Sequence, residues 1–183
     1  MTEPVKLVPR PAATLILLRD SPAGPQVLML QRTQSAVFLG GAYVFPGGSL
    51  DAGDSSLASR VRGLDSGPIE PPIEYWIAAV RECFEEAGIL IACDVEGRPI
   101  EAGRAERLTP WRTRSFAELL EKEDLYIPAG ELAWFGHWIT APGRSRRFDT
   151  RFFVAAAPQG QQGKNDANET VHDLWITPRG HVR

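Results

Sequence analysis

Cysteine is scarce in this chain of 183 residues. Cys83 and Cys93 form no CxxC pair and no spaced framework, so a disulfide-stapled fold is excluded and a reducing compartment is expected. Histidine is scarce too: His137, His172 and His181 fall in no H-x3-H or Cys/His cluster, so a zinc site is not expected. No apolar run approaches the length of about eighteen residues that a membrane helix needs, and Met1 to Pro11 has no apolar signal core. Positive charge is in deficit. The net charge of −3 offers no general attraction to nucleic acid or to an anionic membrane, so neither is an expected partner. G-x-S-x-G, the P-loop and internal repeats are all missing. What remains is the expectation of one soluble, cytoplasmic domain over residues 1–183, long enough to bury a substantial core.

Against that background one stretch stands out, Arg81-Glu82-Cys83-Phe84-Glu85-Glu86-Ala87-Gly88-Ile89. Ile73, Ile77, Val80, Phe84 and Ala87 recur at spacings of three and four, which predicts a helix with one buried face. Glu82, Glu85 and Glu86 lie at i, i+3 and i+4 and are neighbours on another face. Like charges so placed repel by a few tenths of a kcal/mol per pair, roughly, unless a hard cation with a preference for oxygen ligands joins them. Arg81, four residues before Glu85, can hold one carboxylate, and Gly88 can end the helix in the left-handed conformation.

These residues, with Phe45-Pro46-Gly47-Gly48 upstream, resemble the signature of the Nudix hydrolase superfamily, G-x5-E-x7-R-E-U-x-E-E-x-G-U, where U is a bulky apolar residue. Asp54, six past Gly48, stands in the place of the usual first glutamate, and Cys83 fills the first U slot. Nineteen residues, Ser55 to Ile73, split the two halves. The resemblance implies an α/β fold, a Nudix-type α-β-α sandwich with a mixed sheet. Pattern alone supports a mixed α/β chain with antiparallel hairpins.

In chain order, Ala12–Leu18 and Gln26–Gln31 read as a strand pair around the Ser21–Pro25 turn, and Ala42–Phe45 as a short strand entering a Pro-Gly-Gly turn. The insertion at 55–73 reads as a short helix and a Pro-rich connector, placed so as to project near the mouth of the site. Ile89–Ala92 reads as a strand or a helix extension, and Asp94–Pro110 as a loop. Ser115–Glu123 opens with a capping box. Glu131–Thr140 and Arg147–Ala157 read as a hairpin and Val171–Ile176 as a last strand. Trp76, Trp134, Trp138 and Trp175 read as core or rim packing.

The resemblance also implies a chemistry, the metal-dependent hydrolysis of a diphosphate bond in a nucleoside diphosphate linked to another group. Glu82, Glu85 and Glu86 would bind Mg2+ or Mn2+ with the Gly47 carbonyl as an extra ligand, and Arg81 would orient a glutamate. The base is one of these glutamates or a distant acid, for which Glu169 is the candidate. Substrate contacts are expected from Arg32, Phe45, Gly48 and Arg151, the last sharing a strand face with Arg147 and Asp149. A partial motif, with Arg32, Thr33, Gly41 and Phe45-Pro46-Gly47-Gly48 in register and Val37 where an arginine is usual, resembles the coenzyme A diphosphatase branch. Coenzyme A or an acyl derivative is the first expectation for substrate. ADP-ribose or a dinucleotide is the alternative, as is a binding module without catalysis. A homodimer is a further expectation.

Overall fold

The computed structural model describes residues 7–36, 40–64, 67–165 and 170–178. In chain order the strands are β1 (Arg10–Arg19), β2 (Gln26–Arg32), β3 (Tyr43–Val44), β4 (Gly47–Ser49) and β5 (Val61–Arg62). The helices α1 (Ile73–Ala87), α2 (Ala102–Leu108) and α3 (Phe116–Lys122) follow, then β6 (Ile127–Pro128), β7 (Leu132–Ile139), β8 (Phe148–Ala156) and β9 (Thr170–Ile176).

The main sheet runs β3-β2-β1-β8-β7, with β4 added to β1 and β9 to β2. It is mixed, as expected: β1 and β8 are parallel over their length, and the other pairs are antiparallel. The apolar run of β1 is nearly continuous because alternate residues Ala13, Leu15 and Leu17 are fully buried while the intervening ones are half-covered. β1 and β2 pair only at Leu18–Arg19 with Gln26–Val27. Beyond that the two diverge: β1 takes up β4 at Ala12–Thr14, and β2 takes up β3 at Leu30–Gln31. The sheet is therefore open where the functional residues lie.

α1 begins after Pro71-Pro72, whose missing backbone donors cost nothing at a helix start. It ends at Gly88, which has φ 68° and donates its N–H to the Phe84 carbonyl at 2.9 Å. The buried face is wider than the periodicity predicts. Tyr75 through Arg81, Cys83, Phe84, Glu86 and Ala87 are all buried. One side of the helix meets β1, β4 and β8. The other is covered by residues such as Phe116, whose ring lies 6.2 Å from that of Phe84, and by Leu119 and Leu120 of α3. This covering layer is where sequence reading fell short. Asp94–Pro110 is not a loop throughout, since it contains α2 and runs into a 3-10 helix at Thr109–Thr113. α2 is short and has no side-chain N-cap, the signal that marks α3, where the Ser115 hydroxyl accepts from the Glu118 N–H.

Ile89–Ala92 is neither strand nor helix, yet it is buried. The Gln161 side chain satisfies its backbone, accepting from the Leu90 N–H and donating to the Leu90 carbonyl, both at 2.9 Å, as a neighbouring strand would. In the insertion the expected short helix is present, in 3-10 form, and a strand that was not expected follows it. The helix spans Asp54–Arg60, and the strand is β5, which pairs with β6. Leu57 is buried, and Arg62 lies over the Tyr126 ring at 4.0 Å, so this stretch is tied to the covering layer.

Candidate active site

The last two turns of α1 carry Arg81, Glu82, Glu85 and Glu86, and Arg81 organises them. Its Nε donates to Asp54 Oδ1 at 2.8 Å, and Nη2 donates to Asp54 Oδ2 at 3.1 Å and to the Ser49 carbonyl at 3.0 Å. Nη1 donates to Glu82 Oε1 at 2.8 Å and to Glu85 Oε2 at 3.1 Å. A lysine could not span this fork. Asp54 is 1 % exposed, and its side chain also accepts from the Asp51 N–H at 2.7 Å, so the loop after the glycines is pinned to the helix through one arginine. The shorter acid thus makes the anchoring contact across the nineteen-residue split.

Electrostatics follow from that sharing. Burial penalises the Arg81 charge, but the hydrogen bond to Asp54 and the nearby Glu82 and Glu85 carboxylates outweigh it, and its pKa is raised. The Glu85 carboxyl is pushed up to about 7, first by burial and then by the neighbouring Glu82 charge, although Arg81 pulls the other way. Burial wins because the Arg81 guanidinium is divided among three carboxylates. Cys83, fully buried and one turn before Glu86, is raised first by burial and then by the Glu86 charge, and is inert as a nucleophile.

Glu82 and Glu86 reach a cavity of about 530 Å³, and β4 forms the wall they face. The Gly47 N–H donates to Glu86 Oε2 at 3.0 Å. A Cβ on Gly48 would stand 2.5 Å from the Glu82 carboxyl carbon. The two glycines are therefore needed for close approach in a short extended strand, not for the turn expected of Pro-Gly-Gly. Arg32, Phe45, Gly47 and Gly48 line this cavity, as expected for site residues. Glu85 does not. It borders a smaller cavity of about 330 Å³ on the other side of Arg81, with Asp51, Leu57 and Arg114. Leu57 is the insertion's contribution there, and among the described residues none from 55–73 lines the larger cavity.

Arg151 is not brought to the site. The strand alternation that puts Phe148, Thr150 and Phe152 in the cavity turns Arg151 to the opposite face. There it pairs with Asp149 and lies over the Tyr75 ring at 4.9 Å. Glu169 and Val37 lie outside the described residues.

Two residues were missed in the sequence. Arg146 lines the cavity, and the run Arg144-Ser145-Arg146-Arg147 beside the alternating Phe148, Thr150 and Phe152 was its signal. Arg112 donates from Nε and Nη2 to the Glu85 carbonyl at 3.0 and 2.8 Å and from Nη2 to the Glu86 carbonyl at 2.8 Å. It satisfies the end of the helix that bears the glutamates, where a cation is also favoured by the helix dipole. Nothing in the local sequence announces that contact.

Comparison with known proteins decides the family. The NUDT19 Nudix domain matches residues 57–183. The chain belongs to that Nudix family. This Nudix domain is 29% identical over 214 residues to the acyl-coenzyme A diphosphatase NUDT19 of Gallus gallus, covering 86% of this chain and 56% of that protein. It is 29% identical over 217 residues to the acyl-coenzyme A diphosphatase NUDT19 of Homo sapiens, covering 92% and 58%. The chain thus spans about half the length of these curated relatives. Among solved structures, a NUDIX hydrolase from Alicyclobacillus acidocaldarius superposes with a TM-score of 0.77 at 29% identity, covering 92% of this chain and 78% of that one. The expected α-β-α sandwich with a mixed sheet is the Nudix fold that this likeness shows.

Proposed function

We propose that this Nudix domain is a metal-dependent diphosphatase acting on a nucleoside diphosphate derivative, with coenzyme A or acyl-coenzyme A as its substrate. The observation that carries this reading is the convergence of Glu82 and Glu86, fixed by Arg81 and by the glycine backbone, on one cavity with Arg32 and aromatic walls. The vertebrate relatives' names support the choice of acyl-coenzyme A.

Mg2+ or Mn2+ fits the donor set. Among the described residues no three acidic, His or Cys side chains form a ready-made cage. Mg2+ seldom uses one, and is held by one or two carboxylates, waters and substrate phosphate. Glu82 and Glu86, both at the cavity wall, with the Gly47 carbonyl beside them, are the residues that would hold it. Bound there, the ion would neutralise phosphate charge and lower the pKa of water. The chain's own residues supply the rest. Arg81 keeps the glutamates in place, Arg32 grips phosphate oxygens, and Phe45, Phe148 and Phe152 exclude water. A carboxylate, Glu82, Glu86 or Glu169, accepts the proton of the attacking water. A new P–O bond forms as the bridging P–O bond breaks, leaving 3′,5′-ADP and a phosphopantetheine.

A panel of coenzyme A, acyl-coenzyme A, ADP-ribose and NADH with Mg2+ or Mn2+ tests this reading. Glu82→Gln and Glu86→Gln should each abolish turnover while keeping the fold. A clear preference for ADP-ribose would sink the coenzyme A assignment, and parent-like turnover by both variants would sink the role of the glutamates. No turnover of any substrate would leave a binding module.

A further inference from the structure

The cavity has a second end, and strand register locates it. Thr14 pairs with Gly47 in β4 and with Phe152 in β8, so Phe152 lies level with the glycine that Glu86 touches. Phe148 stands four residues earlier in β8, about 13 Å away at ~3.3 Å per residue, and Arg146 lies beyond it. Both line the same cavity. In β7, Trp138 pairs directly with Thr150, and paired residues share a sheet face. Thr150 also lines the cavity, so Trp138 stands on the cavity's own face beside its far half. It is 71 % exposed, a large indole laid open next to the rim rather than the packing residue its strand pattern suggested. Arg147, next to Arg146, is engaged elsewhere, donating to the Thr140 carbonyl at 2.9 Å and the Leu7 carbonyl at 2.8 Å.

Carried along the antiparallel register of β1 and β2, Arg32 is level with Ala13, the partner of Gly48, so two arginines line one cavity at different levels, Arg32 near the glycines and Arg146 past the far aromatic wall. A diphosphate held against Glu82 and Glu86 does not reach both. An arginine fork at the far end suits a second, separate phosphate, and an exposed indole suits the face of a base. We propose that Trp138 and Arg146 form a subsite for a 3′-phosphorylated adenosine, with Trp138 stacking on the base and Arg146 binding the 3′-phosphate monoester. This rests on the coenzyme A reading and names the residues that set its specificity over substrates lacking that phosphate.

The test uses the full chain, with Arg146→Gln and Trp138→Ala, both at exposed positions. Calorimetric binding of 3′,5′-ADP and 5′-AMP is measured beside kcat/KM for coenzyme A and dephospho-coenzyme A. The parent should bind 3′,5′-ADP at least tenfold more tightly than 5′-AMP. Arg146→Gln should erase that preference, lower kcat/KM for coenzyme A about tenfold and leave dephospho-coenzyme A within twofold. Trp138→Ala should weaken both nucleotides at least fivefold. Equal losses on both substrates with Arg146→Gln, or no loss with either variant, would overturn the subsite. The two readings fail separately. A parent that hydrolyses coenzyme A while Arg146→Gln does not discriminate loses only the subsite. A parent that shows the binding preference but hydrolyses only ADP-ribose loses only the substrate assignment.

Discussion

Glu85→Gln should make the metal-free protein more stable at neutral pH. The Glu85 carboxyl is pushed from its ordinary 4.5 up to about 7 by burial and by Glu82. In the unfolded chain it ionises near its ordinary value. Between the two values the native state holds a proton that the unfolded state has released, so stability falls as pH rises through about 4.5 to 7 and is flat above. This sign is opposite to that of a salt-bridged carboxylate whose pKa is depressed. At about 1.4 kcal/mol per pH unit the full linkage is about 3 kcal/mol. The Glu85 side chain is 31 % exposed, and solvent screening brings the expected cost to about 1–2 kcal/mol. For a chain of this size that is a Tm difference of about 2–8 °C. The glutamine keeps an acceptor for Arg81 and never ionises. Thermal melting of parent and variant in a chelator, from pH 4.5 to 8, isolates the term, because every other titrating group is common to both. The two proteins should melt together at pH 4.5, with the variant higher at pH 8. A parent that equals or exceeds Glu85→Gln at pH 8 would refute the account of Glu85 as a carboxylate short of counter-charge.

Two further substitutions probe the frame that holds Glu82 and Arg81. Gly48→Ala would place a methyl group 2.5 Å from the Glu82 carboxyl carbon; the flexible side chain can move, so Tm should change by less than about 3 °C while turnover drops at least tenfold. Wild-type turnover would show that the Glu82 position is not critical. Asp54→Ala removes the buried partner of Arg81, and the urea midpoint should fall by the equivalent of about 3–5 kcal/mol. A loss under about 1 kcal/mol would mean that Ser49 and the two glutamates hold Arg81 on their own.

What could be read in the sequence was whatever local chemistry dictates. The α1 boundaries follow from Pro72 and Gly88, and the hairpins follow from alternation and turn residues. The seam of α3 follows from the Ser115 cap. α2 escaped because its seven residues carry no cap and too few turns to show a period, and it is helical only because Ala105 and Leu108 dock on the core. Ile89–Ala92 escaped because its partner is the side chain of Gln161, seventy-one residues from Leu90. No propensity scale contains such a pairing.

The site divides along the same line. Spacing alone put Glu82, Glu85 and Glu86 on one helix, but it could not divide them, and the fold does: Arg81 stands between two cavities, with Glu82 and Glu86 in one and Glu85 in the other. One cation shared by three carboxylates leaves the cluster with excess negative charge, and the covering layer makes that excess costly by keeping water away. If that layer were absent, Glu85 would be solvated and its carboxyl would titrate as an ordinary surface acid. The 3-10 helix of the insertion, through Leu57, and α3, through Phe116, close the small cavity over it. The stretch that splits the signature therefore contributes to the electrostatics of the signature helix from behind. An insertion in this position can tune the site without lining the cavity that Glu82 and Glu86 face.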